Sequence, residues 1–263
     1  MMYSGIFDTH AHYDDEQFEK DRAETLSFIK ENGVCGVIDC GCDYKSSLSA
    51  IALSQKYDFI YAAVGVHPET SPETIDEEAK KVKQLYKNEK VVAVGEIGLD
   101  YHYDFTPREK QLEIFEKQLI IANELDLPVI IHDREAHEDT MKLLKKHKPK
   151  GVLHCFSGSS ETAKEVLKLG LYIGLGGAVT FKNARKAVEV AKMLPSDRLL
   201  LETDCPYMAP VPFRGKRCDS SMIANTAQFI ASLRETKTQT LIDECRNNAK
   251  ELFKIKETAE NFV

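Results

Sequence analysis

No surplus of positive charge, no long apolar run, no regular cysteine spacing and no glycine-rich dinucleotide fingerprint occur in this sequence of 263 residues. With a formal net charge of −7, bulk positive surface cannot be what attracts a nucleic acid. An anionic substrate must be drawn in locally, as bound divalent cations do by reversing the sign of the field around them. Residues Met1-Met2-Tyr3-Ser4-Gly5-Ile6-Phe7-Asp8 run straight into a polar strand without a basic leader or apolar stretch. Neither a secretion signal nor a membrane segment is therefore expected, and a cytoplasmic location is. Seven cysteines, an odd number without regular spacing, fit reduced thiols and not a disulfide framework. Cys40-Gly-Cys42 lacks a second cysteine pair to complete a thiolate site and reads as a partly buried strand end. No Gly-x-Gly-x-x-Gly follows the first strand, which removes the usual reason to choose a dinucleotide-binding sheet. Gly174-Leu175-Gly176-Gly177 reads as a tight turn closing a strand.

What is present is an ordinary globular composition, 43% hydrophobic and 29% charged, with short β-branched runs alternating with longer amphipathic stretches from end to end. Strands are predicted at 5–11, 36–41, 59–66, 91–99, 129–132, 151–156, 171–176 and 199–203. Between them lie helical periods such as 109–125, where Leu112, Phe115, Leu119, Ala122 and Leu125 recur at spacings of three or four and Pro128 refuses to continue the helix. After the last strand a loop over 206–217 is rich in proline and basic residues, and helical patterns follow at 221–233 and 238–254. About eight strands with intervening helices predict a closed (β/α)₈ barrel, an α/β TIM-barrel fold, as one domain over residues 1–263; an open doubly wound sheet is the alternative.

Asp8, His10 and His12 are two apart, so on a strand they share one face, and both imidazoles can reach one cation. Four further strands carry a His, Glu or Asp at or near their C-terminal ends: Glu96, His132, His154 and Asp204. In a barrel those ends converge on the face where catalytic groups sit. Histidines inside runs such as Val129-Ile130-Ile131 and Gly151-Val152-Leu153 would waste burial unless their nitrogens are used. Four imidazoles and two carboxylates exceed what one tetrahedral zinc needs, which points to two divalent cations sharing Glu96. Two metals roughly 3.5–4 Å apart activate a water and stabilise both oxygens of a displacement, with Asp204 suited to act as general base. Imidazoles favour zinc or a similar metal and carboxylates favour magnesium or manganese, so the ion's identity stays open. His67 ends the third strand and is placed to contact substrate, as is Tyr101 after Glu96. Arg214, Lys216 and Arg217 surround Gly215 in the loop after Asp204, where they could anchor a phosphate backbone. Glu202 lies two residues before Asp204 and can orient a ligand from behind.

These residues stand in Phe7-Asp8-Thr9-His10-Ala11-His12, Gly65-Val66-His67-Pro68, Gly95-Glu96-Ile97-Gly98-Leu99-Asp100-Tyr101, Pro128-Val129-Ile130-Ile131-His132, His154-Cys155-Phe156-Ser157-Gly158 and Glu202-Thr203-Asp204-Cys205-Pro206-Tyr207. In that order, over nearly the whole chain, the pattern resembles the TatD family of metal-dependent deoxyribonucleases, within the amidohydrolase-like barrels. The resemblance implies metal ligation by His10, His12, Glu96, His132, His154 and Asp204. It also implies hydrolysis of DNA phosphodiesters, often from a 3′ end, with magnesium or manganese. The expected partner is single-stranded DNA or a frayed 3′ end, and the expected state is a monomer. One departure is visible: after Arg214-Gly215-Lys216-Arg217 the family's Asn-Glu-Pro is replaced by Cys218-Asp219-Ser220, which bears on substrate preference. Removal of D-amino acids from mischarged transfer RNA, hydrolysis of a small amide or lactone, and a non-catalytic metal-stabilised scaffold are the competing expectations.

Overall fold

A computed structural model of the chain describes residues 3–103 and 105–256. Eight strands lie side by side in sequence order, all parallel: β1 (Ile6–Ala11), β2 (Val34–Cys40), β3 (Ile60–Val64), β4 (Val91–Asp100), β5 (Val129–Arg134), β6 (Gly151–Leu153), β7 (Tyr172–Leu175) and β8 (Leu199–Leu201). Parallel neighbours cannot be joined by a tight hairpin. The helices α1 (Arg22–Glu31), α2 (Tyr44–Lys56), α3 (Ile75–Val82), α4 (Arg108–Leu125), α5 (His137–His147), α6 (Ser160–Lys168) and α7 (Arg185–Met193) make the seven returns. After β8 come α8 (Ile223–Leu233) and α9 (Thr238–Leu252). β8 meets β1 just past its own end, where the Asp204 amide donates to the His10 carbonyl at 2.9 Å and the His12 amide to the Cys205 carbonyl at 2.8 Å. The result is the (β/α)₈ barrel that the alternation predicts. No helix among the described residues is long and apolar enough to cross a membrane.

Period-two alternation sorts the strand residues into two layers. Phe7, Ile38, Ala63, Ala93, Ile130, Val152, Tyr172 and Leu200, one from each strand, pack together inside the barrel and are plugged by Ala249, Leu252 and Phe253 at the end of α9. Their neighbours Ile131, Leu153, Ile173 and Leu201 face outward and meet helix residues such as Phe115, Leu119 and Ile230. Each such buried side chain contributes about 1.5–3 kcal/mol. With one end sealed, the other end is left for chemistry.

Three local expectations are corrected. The buried face of α4 holds Ile114, Phe115, Leu119 and Ala122 but also Gln111 and Gln118, while Leu125 is exposed. The two glutamines earn burial by capping backbone: Gln118 takes the Val66 amide at 2.8 Å and Gln111 the Asp100 amide at 2.9 Å, so α4 pins the loops leaving β3 and β4. β6 and β8 stop at Leu153 and Leu201, short of the predicted 156 and 203. Side chains replace the ladder there, with the Cys155 amide donating to the Glu202 carboxylate and the Thr203 amide to Asp8 at 3.0 Å. Gly174 lies inside β7, not in a turn, and a Cβ there would collide with the Glu202 carboxylate.

Candidate metal centre

At the open end of the barrel, Glu96 stands between two sets of imidazoles. Its Oε2 lies 3.4 Å from His10 Nε2 and 3.6 Å from His12 Nε2. Its Oε1 lies 2.8 Å from His154 Nε2, 3.0 Å from His132 Nδ1 and 3.5 Å from His67 Nε2. Asp204 Oδ1 joins the first set at 3.4 Å from His12 and 3.7 Å from His10. The residues arrive from six parts of the barrel: His10 and His12 from β1 and its extension, Glu96 and His132 from within β4 and β5, and His67, His154 and Asp204 from the segments following β3, β6 and β8. Asp204 sits in the left-handed region at φ 65°, as does Cys155 at φ 44°. Non-glycine residues hold that conformation at a cost of order 1–3 kcal/mol, and the Asp204 amide's bond to His10 helps to hold it here.

Hydrogen bonds behind the rings decide which nitrogen faces the centre. His12 Nδ1–H donates to the Cys40 carbonyl at 2.8 Å, leaving a bare Nε2 lone pair in front. His132 Nε2 bonds the Asp100 carboxylate at 2.8 Å, which turns Nδ1 inward. His67 is different. Its Nδ1 accepts the Glu69 amide at 3.2 Å, so the neutral ring carries its proton on the inward Nε2. Fixing a tautomer by an outer partner is the usual way a protein presents a ligand histidine. Asp100→Asn should therefore weaken metal affinity on the order of 10- to 100-fold with little loss of thermal stability, checked by titration of the metal-free protein; unchanged affinity would refute the orienting role.

This donor set fits divalent cations. His10 Nε2 and His12 Nε2 approach to 3.0 Å with Glu96 Oε2 beside both, so three donor atoms converge where one cation could sit. In the protein alone protons hold these groups together, an N–H of one ring donating to the nitrogen of the other. Burial pushes His10 down to about 4, aided by His154. His12 and His132 are burdened by burial too, yet Cys42, Asp204 and Glu96 raise His12, and Asp100 and Glu96 lift His132 to about 10. Burial would raise Glu96 and Asp204, but the facing imidazoles outweigh it and hold both below their ordinary range. Three groups satisfy metal-ligand proximity: His10 with His12 and Glu96, His10 with His154 and Asp204, and His67 with Glu96 and His132. The cluster opens into a cavity of about 810 Å³ whose wall carries Asp14, Asp15, Asp43, Glu69 and Asp133.

A profile described as "TatD related DNase" matches residues 7–254. The chain belongs to the TatD-related DNase family. Among its relatives is an uncharacterized metal-dependent hydrolase, YabD of Bacillus subtilis (strain 168), 44% identical over 95% of this chain and 99% of that one. The 3′-5′ ssDNA/RNA exonuclease TatD of Erwinia tasmaniensis is 34% identical over 95% of this chain and all of its own length. The crystal structure of the TatD homologue YJJV from Escherichia coli superposes with a TM-score of 0.91 at 33% identity, covering 97% of this chain and 100% of that one. As a TatD-family protein the chain is a metal-dependent hydrolase.

Within this TatD-type barrel the structure brings His10, His12, Glu96, His132, His154 and Asp204 together, and adds His67 to them. Asp8 does not join. Pairing with β2 shifts register between Asp8 and Ala11, and the Asp8 carboxylate is taken by the hydroxyls of Thr203 and Ser220, each at 2.6 Å. Burial raises it to about 6. Tyr101 turns its hydroxyl to Asp139 at 2.9 Å and its face to Arg108. Arg217 forms a two-pronged pair with Asp21, at 2.8 and 2.5 Å, while Arg214 stacks on Phe181 and Lys216 lies over Phe213. None of Tyr101, Arg214, Lys216 and Arg217 lines the cavity. Glu202 is buried behind His154, its Oε1 at 3.9 Å from Nδ1, and burial raises it to about 7. Sequence reading passed over Tyr103 and Arg134, which do line the cavity. Arg134 ends β5 two residues beyond His132, a same-face spacing that could have marked it.

Proposed function

We propose that this TatD-family hydrolase removes nucleotides from the 3′ end of single-stranded DNA at a centre of two divalent cations. The observation that carries the reading is the division of Glu96, one oxygen toward His10 and His12 and the other toward His132 and His154. The exonuclease name of the Erwinia relative supports the substrate class. His10, His12, Asp204 and Glu96 Oε2 would hold one ion, and His132, His154 and Glu96 Oε1 the other. Such ions supply Lewis acidity for the phosphoryl group and make water a nucleophile at neutral pH.

The chain's own groups do the remaining work. Asp204 keeps 22% of its side chain open to the cavity, the largest share among the six ligand candidates, so it can receive the proton of the attacking water. His67, with its proton on Nε2, donates to a phosphate oxygen and orients the phosphorus for in-line displacement of the upstream O3′. Away from the centre the cavity wall is mainly acidic and repels phosphates except where Arg134 stands.

Metal-defined protein incubated with 3′-labelled single-stranded DNA, duplex DNA, RNA and D-aminoacyl-tRNA tests this. Single-stranded DNA should be cut fastest with release of mononucleotides. Deacylation of D-aminoacyl-tRNA with DNA left intact would overturn the assignment.

A further inference from the structure

Among the described residues only four phenylalanine or tyrosine rings are exposed, Phe28, Tyr103, Phe105 and Tyr207, and three of them lie on loops at the open end of the barrel. Tyr103 is 41% and Phe105 63% exposed. Their rings stack on each other with centroids 5.7 Å apart and planes 29° from parallel. Tyr103 also lines the metal cavity. The chain is anchored as it enters Tyr103 and as it leaves Phe105: Asp100 Oδ1 accepts the His102 and Tyr103 amides at 2.8 and 3.2 Å, and the Thr106 hydroxyl donates to the Thr70 carbonyl at 2.5 Å. Two apolar faces are thus held in water beside the centre, where folding gains nothing from them.

The charge around them narrows the choice of ligand. Among the described residues Arg134 is the sole lysine or arginine on the cavity wall, against seven acidic residues that include Glu96 and Asp204. Its guanidinium lies 4.8 Å over the Tyr103 ring, and no carboxylate pairs with it among the described residues. A strand of nucleic acid entering here finds, among the described residues, one cation without a carboxylate partner and a ledge of rings, not a basic groove. Binding must come chiefly from base faces, which every nucleotide offers and a duplex keeps covered.

We infer that Tyr103 and Phe105 form a stacking ledge for the unpaired bases just upstream of the nucleotide in the metal centre, with Arg134 taking a phosphate between them. This rests on the single-strand nuclease reading and says how single strands are chosen.

The test uses a short 3′-labelled oligodeoxynucleotide and the same oligomer with abasic residues at the second and third positions from its 3′ end. For the metal-loaded wild type, the abasic substrate should show a KM higher by on the order of tenfold or more. In the double variant Tyr103→Ala/Phe105→Ala, KM for the natural oligomer should rise to a similar degree and the abasic penalty should vanish. A merely structural role for the rings would not erase a penalty that depends on the substrate's own bases. Raising salt should weaken wild-type binding only slightly, because few cations are displaced. Cleavage with an abasic penalty undiminished in the double variant would overturn the ledge alone. Failure of the wild type to cut either oligomer would sink the ledge together with the nuclease reading beneath it.

Discussion

Glu96→Gln should lower turnover on DNA by on the order of a thousandfold while leaving the barrel folded. The substitution keeps volume and shape, so no cavity opens where Glu96 sits at 4% exposure. What changes is the donor pattern. A carboxylate presents two acceptor oxygens, one to His10 and His12 and one to His132, His154 and His67. An amide presents one oxygen and one NH₂, so whichever way it turns, one set of imidazoles faces hydrogens that exclude a cation. The negative charge shared by both sets is lost as well. Single-turnover cleavage under saturating metal, together with circular dichroism, reads both halves of the expectation. Full activity in the folded variant would refute the shared carboxylate.

Removal of metal should abolish hydrolysis and lower the melting temperature, and both should return on addition of a divalent ion. The six candidate ligands converge only when all eight strands are in place, so the ions bind the folded chain far better than the unfolded one. Binding at a hundred times the dissociation constant stabilises by about 2.7 kcal/mol per site. In a domain of this size each kcal/mol moves the melting temperature by about 2–4 °C, so chelation should lower it by roughly 5–10 °C for each site emptied. Part of that loss is offset because protons on His12 and His132 meet the charge of Glu96 and Asp204 when no cation does. Calorimetry with and without chelator, followed by magnesium, manganese or zinc, measures the effect and ranks the ions. A melting temperature indifferent to chelator would count against a built metal centre.

The barrel was legible because hydrophobic period is local: each strand and each helix announces itself within its own residues, and eight such pairs leave few arrangements. The candidate ligands were legible for a related reason, since a polar residue at the end of an apolar strand has one face of a barrel to go to. His132 and His154, following Ile130-Ile131 and Val152-Leu153, show this most plainly. What stayed hidden depends on contacts between distant segments. Asp8 has the spacing of a ligand, but a register shift and the hydroxyls of Thr203 and Ser220 take it away. Arg217 looks like a phosphate anchor until Asp21, nearly two hundred residues earlier, is found beside it. The tautomer of His67 is set by the Glu69 amide, a loop conformation no spacing rule gives. Gln111 and Gln118 lie outside the apolar stripe of α4, and their burial rests on backbone groups of distant loops that periodicity does not register.

The most direct test of the account is the number of divalent ions bound per chain, measured by elemental analysis of metal-free protein titrated to saturation and assayed for DNA cleavage at each step. Two ions per chain, with cleavage rising as the second is taken up and fewer than two retained by Glu96→Gln, is the result expected of a centre divided by one carboxylate. Saturation at a single ion with full cleavage, or cleavage by protein holding none, would contradict it.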